Sequence, residues 1–483
     1  MADVLKNYIG GQWVAATSSA TLPVENPATG EVLAHVPLSA AADVDAAVKA
    51  AREAFSSWRQ VPPVDRARYL FKYRGLLEKH WDELARICTT EHGKVVREAR
   101  AGVGRGIENV EHACGIPTLM MGDSLEDISS GIDTASYHQP VGVFAAIAPY
   151  NFPAMVPLWF WPYAVATGNT FLFKPSEQVP LSQQRMMELA QEAGFPAGVL
   201  GMVHGDKTVV EAILDHPDIA GVSFVGSTPI AKLVYTRAAA TGKRVQSFGG
   251  AKNHVIVMPD AHPEKTVEGA TASCYGNSGQ RCLAGSTVVL VGDAYDKFRD
   301  RLVSAAKNLV VGNGLESGVT MGPVISARHR DRVLSYIETG VREGATLLLD
   351  GRDVKVDGHP GGYWVGPTVF DDVTDEMTIA REEIFGPVMV LRRAETLEHA
   401  VAMVHASEFA NAVTLFTQSG KAARAFRYTA GVSMMGVNIG VAAPMAFFPF
   451  GGTKSSFFGD VKAHGKDSIR FFTDQKVCIT RWF

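Results

Sequence analysis

The chain has 483 residues, 46% of them apolar and 20% charged, with a formal net charge of −4. That length exceeds what one hydrophobic core organises, so two or three domains with a large buried interior are expected. The slightly acidic balance and the lack of a basic stripe or RNA-binding signature argue against nucleic-acid binding.

The opening residues, MADVLKNYIGGQWV, contain no basic stretch followed by an apolar run, so no signal peptide is expected. Cys88, Cys114, Cys274, Cys282 and Cys478 form no CxxC pair and read as reduced thiols, which predicts a cytoplasmic enzyme without a metal site. In SAAADVDAAVKAAREAFSSW, Val44, Val48, Ala51 and Phe55 recur at helical spacing, and helical sequence continues to about residue 120. Residues 124–140, SLEDISSGIDTASYHQP, alternate in strand fashion and have two candidate partners: the terminal DQKVCITRW or another subunit.

From residue 141 strands and helices alternate. VGVFAAIAP is a continuous apolar run, as expected for a strand covered on both faces. VPLWFWPYAVATG reads as a helix, and Pro149, Pro153, Pro157 and Pro162 in and before it argue against a membrane span. TFLFKPS, VLGMVHG, GVSFVGS, RVQSF and HVIVMP read as further strands separated by helical stretches. This order predicts a parallel sheet wrapped by helices, with nucleotide binding at the carboxyl ends of its strands. A second α/β block spans about 260–445, with a Gly-rich hairpin candidate near GHPGGYWVGPTVF.

No strand–helix turn carries GxGxxG. Phosphate has another candidate place at FVGST, where Gly226 and Ser227 stand before a helix. In FKPSE, Lys174 and Glu177 follow a strand, and a carboxylate there suits both hydroxyls of an adenosine ribose. YGNSGQRC, residues 275–282, sets the permanent cation Arg281 directly before Cys282. Three readings stay open for Arg281: it tunes a nucleophile, holds an anionic substrate, or faces solvent.

APYNFP, FKPSE, FVGST, GQRC and EEIFGP, in this order and spacing, resemble the aldehyde dehydrogenase superfamily over almost the whole chain. The resemblance implies that Cys282 is the nucleophile and that Asn151 stabilises the oxyanion. It places NAD against Ala148, Tyr150, Lys174, Glu177, Gly226, Ser227, Gly249, Glu383 and Phe385. It also implies an α/β fold with a Rossmann-like NAD-binding domain (1–122 and 141–250) and an α/β catalytic domain (251–445). Residues 123–140 and 446–483 would form a small β oligomerisation arm and C-terminal segment of a homodimer or homotetramer.

Hydrolytic members carry a glutamate in an ELGGK stretch, where this chain has QSFGGAKNH. Either Phe248 or Ser247 takes the glutamate position, and neither is a base. General-base help is typically worth about 10²–10⁴-fold, so water attack on a thioester should be slow and coenzyme A is the expected acyl acceptor. AKNH, VMPDA, GQRC and FVGSTPIA are similar to the methylmalonate-semialdehyde dehydrogenase subgroup. Those enzymes oxidise malonate or methylmalonate semialdehyde and release carbon dioxide with acetyl- or propionyl-coenzyme A, and the resemblance implies that Arg105 and Arg281 hold the substrate carboxylate. The alternative is a hydrolytic semialdehyde dehydrogenase that releases free acid. The stretches SFGG and FFGDVKAHGKD depart from the subgroup pattern.

Overall fold

Apolar runs without alternation become strands buried on both faces. In the computed structural model, which describes residues 3–483, Val143–Ile147 and Thr170–Lys174 are buried at every position. They centre an eight-stranded sheet in the order Gln12–Val14, Asn7–Ile9, Leu200–Met202, Thr170–Lys174, Val143–Ile147, Ile219–Val225, Arg244–Phe248, Phe457–Phe458. The run from Leu200–Met202 to Arg244–Phe248 is parallel, so those carboxyl ends share one rim. Phe144 and Phe171 both meet Phe472, at 4.9 and 6.4 Å between ring centroids, which fastens the helix Gly465–Phe472 onto this sheet.

A seven-stranded sheet follows in the order Thr346–Leu349, Thr368–Asp371, Val388–Ala394, Thr287–Val291, His254–Val257, Ala412–Phe416, Met434–Val437. Only its first pair is antiparallel. That pair is the expected hairpin, with the Gly-rich stretch lying in its long connection.

Three expectations need correction. HVIVMP does not extend the first sheet: His254–Val257 lies between Thr287–Val291 and Ala412–Phe416 in the second. An apolar run specifies a buried strand but not its sheet, and the chain crosses over at Gly249-Gly250. A Cβ on Gly250 would lie 2.4 Å from the Glu383 carboxylate, so the crossing passes hard against the other domain. VPLWFWPYAVATG is broken into a 3-10 turn, Val156–Trp159, and a short helix, Trp161–Ala166. Pro157 and Pro162 fit only a first turn, so each begins a new segment. Phe55 is half-buried; Trp58 fills the last buried place on the helix Ala41–Trp58, its indole donating to the Val165 carbonyl at 3.0 Å.

Of the two candidate partners for residues 124–140, the chain's own terminus pairs with their second strand. Thr473–Arg481 pairs with Ile132–Pro140 along its length, and Ser124–Ser129 completes a three-stranded arm with Val477, Ile479 and Leu125 exposed. Among the described residues no helix is long and apolar enough to cross a membrane.

Candidate active site

The rim of the first sheet faces the second domain across a cavity of about 370 Å³. Strand ends supply Ala148, Tyr150, Asn151, Lys174 and Glu177, and the next two turns supply Gly226, Ser227 and Gly249. Cys282, Glu383 and Phe385 close it from the other side. Lys174 is buried and donates to Glu177 at 2.7 Å, which fixes a charged pair at one end. Ser227 precedes the helix Thr228–Ala240 without any side chain capping it. The first-turn amides and the positive end of that helix are thus left for an anion. Gly226 is required by space, because a Cβ there would lie 2.4 Å from the Phe224 ring.

At the opposite end Glu383 accepts the Ala251 N–H at 3.0 Å. Burial pushes its carboxyl up to about 7, against the opposing pull of that N–H and of Lys252. Phe385 has φ +59°, its ring meets Tyr150 edge-on at 5.9 Å, and its carbonyl is held by His329 Nε2 at 2.7 Å. Burial pushes His329 down to about 4, so the neutral ring donates from Nε2.

The loop carrying Cys282 leaves the helix Pro263–Tyr275 through a turn in which Asn277 and Ser278 have φ +57° and +53°. Gly279 follows at φ +71°, with the Gly386 carbonyl 2.0 Å from where a Cβ would sit. Asn277 donates its N–H to Glu98 at 2.9 Å, and Ser278 Oγ donates to the Gly322 carbonyl at 2.7 Å. The Cys282 carbonyl accepts from Asn253 Nδ2 and Asn411 Nδ2, both at 2.9 Å. Asn151 Nδ2 donates to the Gln280 carbonyl at 3.1 Å, and its own backbone carbonyl is held by Lys94 and Asn277. An amide has two N–H groups, so Asn151 keeps one for a ligand.

Half-buried Cys282 also borders a second cavity, of about 290 Å³, with Glu98, Arg105, Phe152, Arg281, Leu283 and His464. The sequence-predicted arginine pair therefore meets beside the thiol. Arg105 pairs with Glu108 at 2.7 Å and holds the Pro444 carbonyl; Arg281 lies 3.8 Å from Glu98. Arg281 is 17% exposed, so the solvent-facing reading falls. Burial and then Glu383 push the Cys282 thiol up to about 12, with Arg281 opposing. Desolvation wins, which weakens the tuner reading.

With so high a pKa, the thiolate fraction at pH 7 is on the order of 10⁻⁵. Inactivation by iodoacetamide should rise about tenfold per pH unit from 7 to 9.5 without levelling. The exposed Cys478 is first changed to serine so that it does not compete. A plateau near pH 8 would contradict the upward shift and restore Arg281 as a tuner of the thiol.

Neither candidate for the glutamate position reaches the thiol. Ser247 is buried and donates to the Ala231 carbonyl at 2.8 Å, while Phe248 packs on Phe160, Phe450 and Phe457. Sequence reasoning missed Glu98, His329, Asn253, Asn411 and His464. One signal was available: Glu98 and Arg105 are seven residues apart on the helix Val96–Cys114 and so share a face.

A model of the aldehyde dehydrogenase family matches residues 13–478. The malonate-semialdehyde dehydrogenase 2 of Geobacillus thermodenitrificans (strain NG80-2) is 54% identical over 478 residues, covering 99% of each chain. The malonate-semialdehyde dehydrogenase of Halalkalibacterium halodurans is 50% identical over 480 residues, again 99% of each. Among solved structures, the methylmalonate-semialdehyde dehydrogenase of Oceanimonas doudoroffii superposes with a TM-score of 0.98 at 45% identity, covering 100% of this chain and 99% of that one. A Sinorhizobium meliloti 1021 protein solved in complex with NAD also superposes at 0.98, with 44% identity and coverage of 100% and 98%.

Proposed function

The chain belongs to the aldehyde dehydrogenase family, and we propose that it oxidises malonate or methylmalonate semialdehyde with NAD and passes the acyl group to coenzyme A. The observation that carries this reading is the meeting of two cavities at Cys282, one of them holding Arg105 and Arg281. The relatives named malonate-semialdehyde dehydrogenase and the NAD-bound structural neighbour support it. In this reading residues 1–122 and 141–250 hold the cofactor and 251–445 carry the nucleophile. The exposed apolar side chains of the arm support a homodimer or homotetramer.

The larger cavity fits a dinucleotide on its own terms. The Lys174–Glu177 pair suits the adenosine ribose, the uncapped helix start at Ser227 suits the pyrophosphate, and Glu383 with Phe385 suits the nicotinamide end. NAD held there would supply a hydride acceptor facing the carbon attached to Cys282.

The remaining steps belong to the chain's own residues. The Cys282 sulfur bonds to the aldehyde carbon as its proton passes to solvent water, the carbonyl π pair moves onto oxygen, and the new oxyanion is met by the spare Asn151 amide N–H and the Cys282 backbone N–H. After oxidation the carbon is a thioester, with the substrate carboxylate β to its carbonyl. Decarboxylation breaks the bond to that carboxylate, and its electron pair enters the thioester as an enolate, which takes up a proton at carbon. The same oxyanion donors stabilise the enolate. The coenzyme A sulfur then attacks the carbonyl and Cys282 leaves. Arginines that gripped the carboxylate fully would oppose decarboxylation. Here Glu108 and Glu98 already compete for Arg105 and Arg281, which supports a clamp that orients its substrate and then lets go.

A second reading, hydrolysis, is favoured by one observation: Glu383 sits in the same cavity as Cys282 with its carboxyl near 7, where it can act as a base. In either reading, kcat/KM should be higher for malonate semialdehyde than for propanal, its counterpart without a carboxylate. Equal values for the two would remove the arginine cavity from substrate recognition.

A further inference from the structure

FFGDVKAHGKD, residues 457–467, departs from the subgroup pattern, and it brings an unassigned side chain to the carboxylate cavity. His464 borders that cavity together with Arg105, Arg281 and Cys282. It is 3% exposed, and neither ring nitrogen has a hydrogen-bond partner. Its ring is gripped by Trp159 and Phe450, at 5.0 and 5.5 Å between centroids. A buried polar group without a partner is costly, so this one calls for an explanation.

The backbone adds a second, independent cost. His464 has φ +72° and ψ 168°, a region that essentially only glycine occupies. Phe450 and Ala463 exchange backbone hydrogen bonds at 2.8 and 3.1 Å on one side of it. On the other side Gly465 donates to the Ala446 carbonyl at 2.9 Å. These contacts hold a residue with a side chain in a conformation suited to none, and that side chain ends at the wall of the substrate cavity. Strained backbone of this kind gathers at ligand clamps.

We propose that His464 donates a ring N–H to the carboxylate of the semialdehyde, as a third recognition group beside Arg105 and Arg281. The inference rests on the carboxylate-cavity reading given above. His464 lines the cavity with both ring nitrogens buried as placed; rotating the ring by 180° exchanges Nδ1 with Cδ2 and Nε2 with Cε1, so each nitrogen can take the place of a ring carbon. Burial, with Arg105 and His112 adding to it, pushes the imidazole down to about 3, so the ring is neutral and carries one N–H. A neutral donor suits a decarboxylating site: it adds direction and selectivity without a third cation to hold the carboxylate in place.

The test is the ratio of kcat/KM for malonate semialdehyde to that for propanal, measured in the unsubstituted enzyme, His464→Phe and His464→Asn. Taking the ratio within each preparation cancels any inactive fraction. Phenylalanine keeps the ring and removes the donor, whereas asparagine keeps an N–H. His464→Phe should lower the ratio about ten- to a hundredfold, through KM for the semialdehyde, with propanal little changed. His464→Asn should recover most of the ratio. An unchanged ratio in His464→Phe, or equal losses for both aldehydes, overturns the proposal. So does a His464→Asn enzyme as impaired as His464→Phe, because the loss then follows shape. Failure of the underlying reading appears elsewhere, as the absence of any semialdehyde preference in the unsubstituted enzyme.

Discussion

Cys282→Ala should lose NADH formation by at least about 10⁴-fold with every aldehyde, since no covalent intermediate can then form. NAD binding and the thermal midpoint should change little, because the loop is held through other atoms. The Cys282 carbonyl is fixed by Asn253 and Asn411, and the preceding turn by Glu98 and Gly322. Cys88, Cys114 and Cys274 cannot take over: all three are buried, and neither cavity is bordered by any of them. Substantial dehydrogenase activity in purified Cys282→Ala protein would show that the nucleophile has been misassigned.

The second large effect is selective. Removing one partner of a desolvated charge pair costs about 2–5 kcal/mol, roughly 30- to 5,000-fold. Arg105→Leu and Arg281→Leu should each lose that much in kcat/KM for malonate semialdehyde and little for propanal. The two variants are not equivalent. Glu108, left behind by Arg105→Leu, is the more exposed acid at 31% and can be hydrated; Glu98, left by Arg281→Leu, is 17% exposed and also anchors Asn277. Arg281→Leu should therefore lower the thermal midpoint as well, and Arg105→Leu is the cleaner probe of recognition. Equal losses for both aldehydes in Arg105→Leu would assign that arginine a structural role.

What the sequence made legible was what lies within short stretches. APYN, FKPSE and FVGST carry their residues at the ends of apolar runs, and such runs declare buried parallel strands. Once those strands are parallel, Asn151, Lys174, Glu177, Gly226 and Ser227 must share a rim. GQRC and EEIFGP announced the facing residues by motif. Groups that act through distant partners stayed hidden. Asn253 and Asn411 meet only at the Cys282 carbonyl, and nothing local marks either as a support for a nucleophile. His464 reads as an ordinary residue ahead of a glycine until the bridge between Phe450 and Ala463 turns it toward Trp159. The placement of HVIVMP failed for the same reason, since the strand's neighbours, not its own pattern, decide its sheet. Alignment left Phe248 and Ser247 open at the missing base. The fold makes the choice immaterial, because one lies in the aromatic core and the other is spent on Ala231.

The central claim is that the acyl group on Cys282 goes to coenzyme A and not to water. The most direct measurement is the time course of NADH after mixing enzyme, NAD and malonate semialdehyde, first without coenzyme A and then with it. Without it, NADH should rise by about one equivalent per Cys282 and then nearly stop, since general-base help worth about 10²–10⁴-fold is missing for water. Adding coenzyme A should restore turnover, with carbon dioxide and acetyl-coenzyme A formed in step with NADH. Sustained turnover to free acid without coenzyme A would contradict the claim and make the enzyme a hydrolytic one, with Glu383 the first candidate for its base.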